Sequence, residues 1–405
     1  MNSASAVKYY AMFINDLLWV AEKYYCICYS YDDNNITWEF DHYNLYSFGE
    51  IYSVDVDYDY DPKTSGRYTV EFDEYTYVIP EILNSVRNIK GLRSSIAEID
   101  RLVICGGGYF NYLWKAKHRK KKLFSILAPI IVANEMGKPI VFLGNTYGPW
   151  DTGKDFFSVF FRALRNVSYA ARDNYLSPYY LREVGVEKEI SVLPDDLYFL
   201  HSKLKFGNST WRSRQEKFIV FECYPSMDDI EENISHISEM FEKFMQKTGV
   251  SIMMLYLDRK YGGEYQAKLI EDRVKGVEIA YNSERITIED IGAIVRTSEL
   301  VICQRYHLFL TALSNDIPCV SLLKPVMGDY RYYYCKVKGL LDQVFSNQNY
   351  QESIFVRCGL WDELEYCLNN ADMIIEEQQK LFNSQKVSAE DCLLKRREKF
   401  LKQYL

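Results

Sequence analysis

The chain is expected to be an α/β protein: two Rossmann-like parallel-sheet domains facing a cleft, followed by a helical C-terminal segment. Three observations carry it. From residue 217 onward, short apolar runs alternate with stretches of helical periodicity, the pattern of βαβ units. The same rhythm runs less cleanly through residues 102–193. Between them lies a polar stretch, 201–217, rich in Ser, Asn and Arg, which reads as a linker. A length of 405 residues, at ~150 per domain, suits two or three domains. The expected boundaries are 1–205, 206–345 and a helical segment at 346–405.

The elements follow in order. Residues 7–29 are apolar, but Lys8, Asp16, Glu22 and Lys23 interrupt them short of the ~20 clean residues a membrane span needs, so an amphipathic helix and then a strand fit better. Residues 34–77, dense in Asp and Tyr, read as a β-rich or irregular insertion. Strands are expected at 102–105, 139–143, 167–171 and 190–193, with helices around 123–134, 154–164 and 178–184. Ser177-Pro178 has the form of a helix start, a hydroxyl cap followed by Pro at the first helical position. In the second half the strands are 218–221, 251–257, 277–281, 300–303 and 318–322, and the helices 228–246, 264–273, 288–297 and 308–314. Residues 360–405 read as helical throughout, with Ser388-Ala389-Glu390-Asp391 resembling a capping box before the last helix.

A net charge of −8 argues against a nucleic-acid partner, whose phosphates need a basic face. Any anion site must be local. The ten cysteines include no CxxC pair, and with no signal-peptide pattern at the start they are expected to be reduced thiols of a cytoplasmic protein. The 35 tyrosines could line a sugar cleft, although most are expected in the core or at its boundary. No His/Asp cluster has metal-ligand spacing, so no metal and no cofactor is expected.

The residues that could carry chemistry stand at strand ends. Val301-Ile302-Cys303-Gln304 runs into Arg305-Tyr306-His307 and then a helix, which puts a fixed cation and an imidazole where open α/β sheets bind anions. A solitary histidine is usually structural, but the adjacent arginine favours a proton donor here. Arg172, after the strand at 167–171, holds the equivalent place in the first half, and two guanidiniums suit a ligand with both phosphate and carboxylate. The bland alternative is a structural pair with Asp173 or another carboxylate. Gly106, Gly107 and Gly108 follow the strand at 102–105 and could bring backbone N–H groups to a ligand, or simply turn the chain. Asn145, and Asp195 with Asp196, are candidate contacts for sugar hydroxyls; the alternatives are a Gly-Pro turn at 148–149 and a helix cap. The basic run Lys115, Lys117, His118, Arg119, Lys120, Lys121 and Lys122 is most simply a solvated face. Its other reading is peripheral contact with anionic lipid or a pyrophosphate-linked acceptor.

Together these landmarks resemble the polysaccharide pyruvyl transferase family. The matching text is Val103-Ile104-Cys105-Gly106-Gly107-Gly108-Tyr109-Phe110, Gly137-Lys138-Pro139-Ile140 through Gly148-Pro149, Ala171-Arg172-Asp173 with Ser177, Leu181 and Gly185, Leu193-Pro194-Asp195, and Arg305-Tyr306-His307 with Ile317-Pro318-Cys319-Val320. The resemblance implies a GT-B-like pair of Rossmann-type domains. It also implies transfer of a pyruvyl group from phosphoenolpyruvate to a sugar, free or on a lipid-linked oligosaccharide, as a cyclic ketal. Arg172, Arg305 and His307 fall on positions similar to the family's donor-binding and catalytic residues. Two features depart from the family: its usual opening strand and Gly-Asn-x-Gly-Asp loop are not found, the chain entering at the helix expected over 6–22, and Tyr306 replaces the common Leu. A glycosyltransferase using a nucleotide-sugar and a non-catalytic partner of the same pathway are the competing readings.

Overall fold

Apolar runs become parallel strands in the computed structural model, which describes residues 27–30, 44–47, 79–86, 88–104, 107–115, 120–199, 216–257, 263–280, 288–326, 328–345 and 350–404. The helix expected over 6–22, nearly all of the insertion at 34–77 and the linker residues 201–215 lie outside the described residues. The chain forms two compact units, one drawing on residues up to 196 and on 392–404, the other on 197–391. The segment at 346–405 is thus divided between them.

In the first unit, β1 (Ile27–Ser30) pairs in parallel with β2 (Asn44–Ser47). Helices α1 (Ile79–Asn84) and α2 (Ile89–Glu98) follow, the second capped by Asn88, whose side chain accepts from Gly91 N at 2.8 Å. Then come β3 (Leu102–Ile104), α3 (Lys120–Glu135), β4 (Ile140–Asn145), α4 (Lys154–Ala163), β5 (Val167–Ala171), α5 (Leu176–Glu183) and β6 (Ile190–Val192). The sheet order is β3-β4-β5-β6, all parallel.

Aromatic rings fill this core. Phe142 stacks on Tyr169 at 5.3 Å, and Phe161 meets Phe110, Phe142 and Tyr147. Much of the tyrosine content on this side is therefore packing: Tyr109, Tyr147, Tyr169 and Tyr180 are all buried.

Helix α5 corrects one sequence expectation. It begins at Leu176, before the Ser177-Pro178 pair, and Asp173 performs the capping. Its Oδ1 accepts the N–H groups of Tyr175, Leu176 and Ser177 at 3.2, 2.7 and 2.8 Å. Ser177 instead turns its hydroxyl to Tyr147 N, 2.9 Å away. Pro178 still sits in the first turn, where no N–H is needed.

Gly148 fixes a turn at this end of the first unit. Its φ is +69°, and a Cβ there would lie 2.3 Å from the Tyr180 ring. Gly148→Ala is expected to cost about 2–4 kcal/mol through combined backbone strain and overpacking. Chemical denaturation of the variant checks this by a lower midpoint with an unchanged slope.

The second unit alternates without interruption: β7 (Phe218–Glu222), α6 (Met227–Thr248), β8 (Ser251–Met254), α7 (Glu264–Arg273), β9 (Val277–Ile279), α8 (Ile288–Thr297), β10 (Leu300–Cys303), α9 (Tyr306–Ser314), β11 (Cys319–Leu323), α10 (Arg331–Val344), β12 (Val356–Cys358), α11 (Trp361–Asn369) and α12 (Ala371–Tyr404). The parallel sheet has the order β12-β11-β10-β7-β8-β9, the doubly wound arrangement in which strand order reverses between β7 and β10.

Two details of the C-terminal segment differ from the sequence reading. It contains a strand, β12, which pairs Val356 with Ser321. Three residues are too few to show a period of two. The capping-box pattern at Ser388 lies inside the continuous helix α12, where the preceding turn already satisfies the backbone N–H groups and no cap is required. The end of α12 belongs to the first unit: Phe400 and Leu401 pack with Val141, Leu143, Ala170 and Leu193. The chain is thus α/β, with one main parallel sheet in each of two units, the second doubly wound, and a largely helical C-terminal segment.

Candidate functional site

The carboxyl ends of β7, β10 and β11 bring charged groups together where the strand order of the second sheet reverses. Such switch points are where open α/β sheets bind ligands, because flanking connections leave in opposite directions and open a crevice. Arg305 is the residue before α9, in extended conformation, and His307 is the second residue of that helix. The body of α9 is apolar, with Leu308, Phe309, Leu310, Ala312 and Leu313 buried, so the helix is anchored and its amino end is held rigidly at the sheet edge. Tyr306 faces the packing side and is 5% exposed, whereas His307 is half-buried, its ring edge-on to that of Tyr306 at 5.6 Å.

Three residues that the sequence reading missed complete the cluster. Glu222 ends β7, is fully buried, and lies 3.0 Å from Arg305 Nε as an ion pair off the line of a hydrogen bond. Its other oxygen accepts the backbone N–H groups of Gln304 and Arg305 at 3.1 and 3.0 Å. Burial pushes the Glu222 carboxyl above its ordinary range, while Arg305 and those two N–H groups pull it down. The Tyr224 ring is close to two cations, with Arg305 Cζ 4.7 Å and Lys324 Nζ 4.6 Å from its centre. Lys324 follows β11, is 8% exposed and donates to Tyr224 O at 3.1 Å. Burial, helped by the Arg305 charge, lowers its ammonium to about 8.

A signal for these residues was present. Glu222 ends one five-residue buried strand and Lys324 directly follows another, and a charged residue at that point stands at the ligand-binding edge of a parallel sheet. The neighbouring thiols of Cys223 and Cys303 are buried and pushed well up, which makes them inert packing groups.

The first unit's candidates are engaged with one another. Arg172 is 1% exposed; its Nε donates to Thr146 Oγ1 at 2.5 Å and its Nη1 to Asp195 Oδ2 at 2.6 Å. The carboxylate paired with it is therefore Asp195, from the turn after β6, while Asp173 caps α5. The guanidinium ties together the ends of three neighbouring strands, β4, β5 and β6. Asn145 is buried and donates to Leu143 O and Ile104 O, clamping β4 to β3.

Gly107 and Gly108 are likewise built into the frame. Gly107 O accepts from Thr146 N at 2.9 Å and Gly108 O from Asn111 Nδ2 at 2.7 Å. A Cβ on Gly107 would meet the Tyr109 ring at 2.0 Å, so that position makes room for the ring. Gly106 and the side chain of Asp196 lie outside the described residues, as does most of the basic run at 115–122. Lys115 of that run is buried and donates to Thr152 O at 3.1 Å, so it is no part of a solvated face. Among the described residues no helix is long and apolar enough to cross a membrane, and no His, Cys, Asp and Glu side chains converge as a metal-ligand set.

Several solved structures share distant similarity. S. aureus MnaA, in a co-structure with UDP, is 12% identical over 75% of this chain and 76% of its own, with a TM-score of 0.48. UDP-GlcNAc 2-epimerase from Methanocaldococcus jannaschii is 11% identical over 76% and 83%, with a TM-score of 0.47. The α,α-trehalose 6-phosphate synthase of Burkholderia multivorans is 13% identical over 69% of each chain, with a TM-score of 0.41. Similarity at this level says nothing of substrate or chemistry. No curated protein matches in sequence. The family model for polysaccharide pyruvyl transferase matches residues 23–323, a span that includes Arg172, Glu222, Arg305 and His307. With that match over most of its length, the chain belongs to the polysaccharide pyruvyl transferase family.

Proposed function

We propose that the protein transfers the pyruvyl group of phosphoenolpyruvate to two hydroxyls of a sugar, free or lipid-linked, forming a cyclic ketal and releasing phosphate. The observation that carries this reading is the cluster of Arg305, Lys324 and His307 at the switch point of the second sheet. Two cations of different shape suit a donor with a planar carboxylate and a phosphate: guanidinium forks match carboxylate or phosphate oxygens in pairs, and an ammonium acts as a point charge. The amino end of α9 adds backbone N–H groups and a favourable dipole.

In this reading His307 protonates the methylene carbon of the donor, which makes the neighbouring carbon electrophilic. One sugar hydroxyl attacks that carbon. The bond to the phosphate oxygen then breaks, and the second hydroxyl closes the ring. Of the two hydroxyl protons, one replaces the proton lent by His307 and the other leaves with phosphate, so the step balances without a cofactor. Arg305 and Lys324 stabilise the negative charge that collects on the departing phosphate. Arg172, enclosed and neutralised by Asp195, serves to hold the strand ends of the first unit in place.

The test is to incubate the protein with phosphoenolpyruvate labelled with carbon-13 at its second carbon and a panel of sugars bearing neighbouring hydroxyl pairs. The proposal expects a ketal carbon resonance and stoichiometric phosphate. Release of phosphate without a ketal, or neither across the panel while a nucleotide-sugar is consumed, contradicts it.

Lys324 makes donor binding depend on pH. The ammonium form binds the anion and is lost as pH rises through about 8. Affinity for phosphoenolpyruvate is therefore expected to fall about tenfold between pH 7 and 9, where a lysine with an ordinary value stays charged. Lys324→Met should bind more weakly at pH 7 and lose this slope. Calorimetric titrations at both pH values check the prediction.

A further inference from the structure

A buried carboxylate stands behind the proposed donor cations, and the mechanism above makes no direct use of it. Glu222 is wholly enclosed, and enclosing a carboxylate costs several kcal/mol unless its partners are well placed. Those partners are specific. One oxygen takes the N–H groups of Gln304 and Arg305, and the other faces Arg305 Nε at 3.0 Å. Gln304 returns the connection by accepting Tyr224 N on its Oε1 at 2.9 Å. The turn leaving β10 is thus clasped to the end of β7 across the switch point. Nε lies at the root of the guanidinium, so the charge of Glu222 beside it restricts where the fork can turn, while 18% of the Arg305 side chain remains exposed. Tyr224, two residues beyond Glu222, lies against the same fork and against the Lys324 ammonium.

We propose that Glu222 is a positioning residue of the donor subsite: it orients the Arg305 guanidinium, against which the Tyr224 ring also packs, so that Arg305 and Lys324 meet the donor's carboxylate and phosphate in one geometry. This rests on the donor reading above. Glu222 touches no reacting atom. It acts through Arg305.

Glu222→Gln separates this role from a merely structural one. The glutamine carbonyl still accepts the N–H groups of Gln304 and Arg305, so the turn persists, but its amide now sets a donor against Arg305 Nε. The variant is expected to unfold within a few degrees of wild type. Its Kd and KM for phosphoenolpyruvate should rise about tenfold, while the KM for the sugar acceptor stays unchanged. Glu222→Asp, which keeps the charge, should recover part of the donor affinity. If wild type binds phosphoenolpyruvate and Glu222→Gln binds it equally well, the positioning role is overturned and the donor reading stands. If wild type binds none, the donor reading falls. The orientation of Arg305 is then decided by its Nε–H resonance, identified by its loss in Arg305→Lys. A resonance unmoved in Glu222→Gln would overturn the orientation by Glu222 as well.

Discussion

Arg305→Ala is expected to weaken binding of phosphoenolpyruvate by about a hundredfold, close to 3 kcal/mol, the usual scale for losing one partner of a buried charge-assisted contact. Isothermal titration reads this directly. The substitution also strips Glu222 of its ion pair, and a buried carboxylate without a counter-ion takes up a proton or destabilises the fold. Dissociation constants are therefore the proper comparison, since a thermal midpoint would mix the two effects. The double variant Arg305→Ala with Glu222→Gln removes the stranded charge. It should recover stability without recovering binding, and recovered binding would show that Arg305 does not contact the donor.

Arg172→Ala should act mainly on stability. Arg172 and Asp195 form an ion pair whose side chains are 1% and 11% exposed, and removing one member of such a pair typically costs about 3–5 kcal/mol. The Thr146 hydroxyl loses its donor as well. A double-mutant cycle with Asp195→Asn, followed by chemical denaturation, measures the coupling between the two side chains. A strong coupling is expected. If Arg172→Ala were instead as stable as wild type and selectively impaired in donor affinity, Arg172 would be a ligand contact.

The two arginines show what the sequence could and could not convey. Both stand at strand ends, a placement legible from the apolar runs 167–171 and 300–303. Their different fates depend on partners distant along the chain. Asp195 reaches Arg172 from 23 residues away, and Glu222 meets the Arg305 segment from 83. Nothing in local periodicity fixes such pairings; strand order does. The regular strands and helices between Phe218 and Leu323 followed closely from alternation of apolar runs, because a parallel sheet covered on both faces imposes continuous burial on its central strands. Strand β12 escaped because its three residues carry no usable period, and the false helix start at Ser388 arose because capping patterns are local while α12 runs through them. Gly107 illustrates the same limit: its glycine suggested an approach by ligand, and the space it leaves holds the ring of Tyr109.

The switch-point cluster of the second sheet is expected to take phosphoenolpyruvate. Thermal stabilisation of the wild-type protein by phosphoenolpyruvate, set beside a uridine diphosphate sugar at equal concentration, measures this. A ligand at ~100 times its dissociation constant adds roughly 2.7 kcal/mol, a shift of a few degrees. That shift is expected with phosphoenolpyruvate, weakened at pH 9 and absent with the nucleotide-sugar. Stabilisation by the nucleotide-sugar and none by phosphoenolpyruvate would contradict it.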